Sequence, residues 1–223
     1  MHHAQKNLIE IEEKIKNKIN ILNLSNYDPK VIAVSKTFSE QDILPLIEYG
    51  HHEFGENKVQ EAQAKWTKIK EKYKNLKLHM LGKLQTNKVK NAVEIFDYIH
   101  SLDNLKLANK ISNELNKKSK KIKIFIQVNL DDEEQKSGID PSELESFYKT
   151  CLDLKLDVIG TMCIPPENQD PKPFFQELLK LNQKLSLSEI SMGMTNDYLD
   201  ALQYKSTFLR IGTGIFGKRV KKF

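Results

Sequence analysis

The chain has 223 residues, 39% of them hydrophobic, enough for a substantial core within one large domain or two small ones. Its net charge of +5 comes from 35 basic and 30 acidic residues, yet only Arg210 and Arg219 among the basic residues are arginine. Nucleic-acid binders favour arginine for bidentate contacts, whereas these lysines are scattered among glutamates on helix faces such as QEAQAKWTKIKEKYK (60–74), so no nucleic-acid partner is expected.

The N-terminal stretch MHHAQKNLIEIEEKIKNKI is amphipathic without an apolar signal core, and its stripe of Leu8, Ile11, Ile15, Ile19 and Leu22 predicts a helix over about 4–24. No apolar run approaches the roughly 18 residues a membrane span needs, which predicts a soluble, cytoplasmic protein. Strand-like segments then alternate with helical ones. The strand candidates are 31–36, 51–55, 76–81, 97–101, 122–129, 156–161, 188–192 and 207–211. Helical patterns fill the gaps at about 39–50, 57–74, 85–96, 104–118, 140–153, 171–186 and 196–204.

A strand followed by a helix, repeated, calls for a parallel sheet, and eight such units close into a (β/α)8 TIM barrel. An open doubly wound sheet competes, but no GxGxxG follows the first strand. No linker rich in Gly, Pro or Ser interrupts the alternation, which predicts one domain over 1–223 with the barrel at about 30–217. Cys151 and Cys163 lack CxxC spacing, so neither a disulfide framework nor a metal site is expected. The C-terminal GKRVKKF is the one tight basic cluster and reads as a frayed tail.

In a barrel the chemistry gathers where the strands stop. The first strand, VIAVSK, runs from an apolar stretch directly into Lys36. A lysine there, partly desolvated, drops from its usual pKa of about 10.4, and its amine can add to a carbonyl. Pairing with Glu53 or Glu56 is the plainer alternative. The last two strands run into SMGMTND (191–197) and RIGTGIFGKR (210–219), which set Ser191, Gly193 and Thr195, then Gly212, Thr213 and Gly214, where barrels of this type hold phosphate. Arg210 ends the last strand, placed either to clamp a phosphate or to face a ring nitrogen and keep it unprotonated. Lysine, phosphate loops and arginine together describe pyridoxal 5′-phosphate (PLP). A Schiff-base aldolase acting on a sugar phosphate would need the first two features as well.

With AVSK (33–36), FGENKVQE (54–61), HMLGKLQTNK (79–88), VNLDDEEQKSGI (128–139), MCIPP (162–166), SMGMTND and RIGTGIFGKR in this order, the chain resembles the pyridoxal phosphate homeostasis protein family from about residue 31 to 219. The resemblance implies a barrel similar to the N-terminal domain of alanine racemase, with Lys36 holding PLP as an internal aldimine. It implies that Ser191, Gly212 and Thr213 hold the phosphate, that Arg210 faces the pyridine nitrogen, and that Asn57 and His79 lie near the cofactor. Lys58, Leu81, Thr161 and Lys205 depart from the family pattern of Tyr, Ile, Leu and Gly, none of them at a cofactor position. The implied role is intracellular PLP and vitamin B6 homeostasis without catalytic turnover: a monomer or weak dimer with PLP-dependent apo-enzymes as candidate recipients. An arginine opposite the pyridine nitrogen weakens the ring as an electron sink, and with the sequence ending at Phe223 a shallow, open mouth without a second domain is the expectation. The alternative is a low-activity amino-acid racemase. It needs a second acid/base residue facing Lys36, for which Tyr49, Tyr98, Tyr198, Tyr204 and His79 are the nominal candidates.

Overall fold

The computed structural model describes residues 1–131 and 137–218. Part of the VNLDDEEQKSGI motif, at 132–136, and the C-terminal cluster from Arg219 onward lie outside the described residues. Eight parallel strands close into a barrel in chain order: β1 (Lys30–Val34), β2 (Glu53–Glu56), β3 (Lys77–Met80), β4 (Tyr98–Leu102), β5 (Lys123–Gln127), β6 (Asp157–Met162), β7 (Glu189–Met194) and β8 (Phe208–Ile211). β8 pairs back onto β1, with Ala33 opposite Ile211. The eight expected strands are all present and in the expected order.

Around the barrel run α1 (His3–Ile21), α2 (Glu40–Tyr49), α3 (Val59–Lys72), α4 (Val89–Ile95), α5 (Leu105–Lys118), α6 (Leu144–Asp153), α7 (Lys172–Lys184), α8 (Tyr198–Ala201) and α9 (Thr213–Phe216). Two expected helices are partly 3-10: Thr86–Lys88 precedes α4, and Leu202–Tyr204 continues α8. The four-residue α9 is too short for apolar periodicity to reveal.

The alternation of side chains along each strand builds two cores. Val31 and Ala33 face outward and join the large cluster between barrel and helices. Ile32 and Val34 face the lumen, with Leu81, Tyr98, Phe125, Met162 and Phe208. Gly160 allows β6 and β7 to meet, since a Cβ there would stand 1.9 Å from the Glu189 carbonyl oxygen.

The N-terminal helix matters to the barrel mouth. Ala4, Leu8, Ile11 and Ile15 are buried, and each of the three larger side chains contributes about 2 kcal/mol of burial. Asn7 Nδ2 donates to the Ile215 carbonyl at 2.9 Å. Thus α1 braces α9, the turn that follows the last strand.

Candidate functional site at the barrel mouth

Lys36 stands two residues past β1, the next position in the inward series of Ile32 and Val34, and is half-buried. Its two neighbours are tied to β2 and α3. The outward-facing Ser35 donates its hydroxyl to Glu56 Oε1 at 2.8 Å. Thr37 has φ of 69°, and its N–H donates to Glu61 Oε1. Glu56 Oε1 also accepts from Lys65 Nζ at 2.9 Å and Trp66 Nε1 at 3.0 Å, and Lys65 Nζ donates to the Ser35 carbonyl at 2.8 Å. The turn carrying Lys36 is therefore held by a buried cluster between β2 and α3. The two carboxylates considered for Lys36 are both engaged by other groups, Glu56 by this cluster and Glu53 by His79.

The end of β8 lies beside the end of β1. A Cβ on Gly212 would sit 3.4 Å from the Val34 carbonyl oxygen. Thr195, in the loop after β7, reaches over to the loop after β8: its Oγ1 lies 3.2 Å from Thr213 Oγ1 and accepts from the Gly214 N–H at 3.2 Å. Two hydroxyls and glycine backbone thus converge next to the amine-bearing turn. Beneath them, a cleft of about 200 Å³ opens between α1 and this rim, lined in part by Lys14, Thr195, Tyr198 and Gly214. Asn57, half-buried just past β2, supports the opposite side, where Gly82 passes so close that a Cβ would lie 2.4 Å from the Asn57 carbonyl oxygen.

Arg210 is 5% exposed and enters the lumen from β8. Nη1 donates to Ser191 Oγ at 2.7 Å, and Nη2 to the Cys163 carbonyl at 2.8 Å. Both acceptors are neutral. Burial pushes the Cys163 thiol up to about 12, outweighing the nearby guanidinium, so the sulfur brings no negative charge.

Two expected cofactor neighbours prove to be interior. Ser191 is fully buried and its Oγ is engaged with Arg210 and, at 2.8 Å, with His100 Nδ1, so its hydroxyl does not reach the rim. His79 is also fully buried: Nδ1 faces His100 Nε2 at 2.9 Å, and Nε2 faces Glu53 Oε2 at 2.7 Å. Strand order places Ser191 and the family resemblance places His79, and neither reports depth in the lumen. The hydroxyl at the rim after β7 is that of Thr195. His100 was missed altogether, although the spacing of Tyr98 and His100 on one strand places both on one face.

The five residues nominated as a second acid/base are all accounted for elsewhere. Tyr49 is exposed at the end of α2, and Tyr204 packs against Phe175 of α7. Tyr98 lies flat on His79 in the lumen, with burial first and then Glu53 pushing its phenol up to about 12. Tyr198 packs under the rim, and His79 belongs to the interior chain.

A half-buried lysine past the first strand, donor-rich turns after the last two and a buried arginine between them define a lysine-bearing (β/α)8 barrel suited to a phosphorylated carbonyl ligand. Residues 11–220 match the alanine racemase N-terminal domain family. A pyridoxal phosphate homeostasis protein of Pasteurella multocida is 34% identical over 226 residues, covering 96% of this chain and 97% of that protein. One from Aquifex aeolicus is 36% identical over 200 residues, covering 85% of this chain and 87% of that protein. The structure of PipY from Synechococcus elongatus with PLP bound superposes with a TM-score of 0.80 at 32% identity, covering 91% of this chain and all of that one. An alanine racemase of Clostridium difficile shares the fold, with a TM-score of 0.69 at 14% identity, over 94% of this chain and 58% of its own. The chain belongs to the pyridoxal phosphate homeostasis protein family.

Proposed function

We propose that this chain binds pyridoxal 5′-phosphate at the C-terminal mouth of the barrel and serves intracellular PLP homeostasis without catalytic turnover. The observation that carries this reading is the adjacency of the Lys36 turn to the Gly212–Thr213 turn across the β1–β8 pair. When bound, the cofactor supplies an aldehyde that a primary amine captures as a Schiff base. Lys36 offers that amine from a turn braced by Glu56 and Glu61. Thr213, Thr195 and the backbone at Gly212 offer donors for a phosphate, while Lys14 and Glu10 of α1 both line the cleft beneath them. Arg210 presents a group that donates only, which suits an unprotonated ring nitrogen and disfavours carbanion chemistry. Asn57 flanks the ligand from β2.

His79 and Tyr98 are enclosed in the lumen, Tyr49 and Tyr204 lie among the outer helices and Tyr198 packs under the rim, an arrangement that supports a carrier over a racemase, because racemization needs a proton donor on each face. PLP added to the purified protein is expected to give a visible absorption band that borohydride bleaches, leaving a reduced adduct on the peptide containing Lys36. Lys36→Ala should give neither. A protein that takes up no PLP would overturn the reading. Racemization of a panel of amino acids by the loaded protein would overturn the non-catalytic part alone.

A further inference from the structure

The lumen beneath Arg210 holds a continuous row of polar groups from the rim to the other end of the barrel. Arg210 Nη1, Ser191 Oγ, His100, His79 and Glu53 Oε2 are linked by contacts of 2.7, 2.8, 2.9 and 2.7 Å. Lys30 Nζ lies 3.9 Å from Glu53 Oε1 at the N-terminal end. Ser191, His100 and His79 are buried among the aromatic rings of the lumen: His79 stacks on Tyr98 at 4.3 Å and His100 on Phe125 at 4.2 Å.

The direction of every bond in this row is dictated by its ends. A guanidinium only donates and a carboxylate only accepts. Glu53 therefore receives the N–H of His79 Nε2, which leaves Nδ1 of a neutral His79 as an acceptor. His100 must then donate from Nε2 and accept at Nδ1 from the Ser191 hydroxyl, whose oxygen in turn accepts from Arg210. One proton arrangement satisfies all five groups. A cationic His100 would turn a second positive donor onto the Ser191 oxygen beside Arg210, a like-charge contact in a dry interior. Burial holds both imidazoles below the ordinary histidine value, more so for His100, where His79 and Arg210 add to it.

Arg210 gives this row a purpose. Its two hydrogen bonds go to neutral oxygens, and the carboxylate of Asp197, in the loop after β7, acts on it through space. A buried cation without a contact counter-ion is costly. Aligned hydrogen bonds polarise one another, so a row ending on a carboxylate presents its negative ends toward the guanidinium.

We propose that His79 and His100 are positioning residues: with Ser191 and Glu53 they form a one-way hydrogen-bond relay that holds the Arg210 guanidinium at the mouth and couples it to a carboxylate at the far end of the barrel. The relay stands on the protein alone. Its effect on the cofactor rests on the PLP reading above.

Two measurements separate the two. In 15N-labelled, cofactor-free protein, long-range 1H–15N NMR should find both histidines neutral with the proton on Nε2. A proton on Nδ1 of either ring, or a cationic ring at pH 7, overturns the relay whether or not PLP binds. The second measurement is PLP affinity and band position in variants with matched melting temperatures. His100→Gln can still accept from Ser191 and donate to His79, and should bind within about threefold of wild type. His100→Leu cannot, and should bind at least tenfold more weakly with a shifted band. Glu53→Gln, remote from the mouth, should weaken binding several-fold by removing the terminal charge. Equal losses in His100→Gln and His100→Leu, or an unchanged Glu53→Gln, would reduce the row to packing and overturn the proposal.

Discussion

Glu56→Gln probes whether the turn that carries Lys36 is held by the cluster between β2 and α3. Glu56 is fully buried, and a single oxygen collects Ser35 Oγ, Lys65 Nζ and Trp66 Nε1 at 2.8, 2.9 and 3.0 Å. Its other oxygen, Oε2, is buried without a partner, so the amide nitrogen of glutamine would inherit an unpartnered place. The Lys65 side chain is 9% exposed, and its ammonium would lose the carboxylate that offsets it. Removing one partner of a buried pair costs about 3–5 kcal/mol. Lys65 keeps Glu61 at 3.3 Å and the Ser35 carbonyl at 2.8 Å, which sets the expectation at the lower end, about 3 kcal/mol. For a chain of this size that is a fall in Tm of about 6–12 °C. Urea denaturation of Glu56→Gln, Lys65→Met and the double variant should return a coupling of at least about 1.5 kcal/mol, because the double variant leaves no stranded charge. PLP affinity should fall in Glu56→Gln, since Ser35, next to Lys36, loses the carboxylate that holds its hydroxyl. A cost below about 1 kcal/mol, or additive single effects, would refute the reasoning.

Acid should weaken the fold earlier than carboxylate titration alone would. His51, His79 and His100 are all held down by burial, His51 to about 4. Unfolded, each binds a proton near pH 6.5, so falling pH favours the unfolded chain by up to about 1.4 kcal/mol per pH unit for each histidine. Their contribution is complete above about pH 7 and declines below about pH 6.5; denaturation midpoints that stay constant from pH 7 to pH 5 would contradict it. Lys205→Gly should stabilise the protein by about 0.5–1 kcal/mol, because Lys205 occupies the left-handed region at φ 58° where a side chain is strained. That change lies away from the mouth, so PLP binding should be unaltered, and a melting temperature that falls would contradict the assignment of strain.

The legibility of the sequence followed the range of the interaction. The strands could be read from short segments bearing buried apolar residues, on both faces in β1 and β5 but only at Phe54 in β2 and at Leu78 and Met80 in β3, and the barrel because their alternation with helices admits few closures. Lys36, Asn57, Arg210, Gly212 and Thr213 could be placed at the mouth because they stand where strands stop. Depth in the lumen could not be read. His79 and Ser191 sit on strands as expected, yet inside a closed barrel a residue or two along the strand separates a group that meets solvent from one that meets Phe125 and Phe208. Nor could the clasp on Lys36 be read, because Glu56 and Lys65 belong to a strand and to the helix that follows it, and nothing local marks them as a pair.

The order of apolar and polar residues by itself determined an eight-fold β/α alternation, an amine after the first strand, hydroxyl and glycine turns after the last two, and a lone arginine between them. Closure of the barrel decided the rest. It brought β8 against β1, so that residues nearly 180 positions apart share one rim, and it enclosed His79, His100 and Ser191 away from water. There the cost of an unpaired polar group leaves only one arrangement of protons. Periodicity is a property of neighbours along the chain, whereas burial depends on what the far side of the barrel supplies.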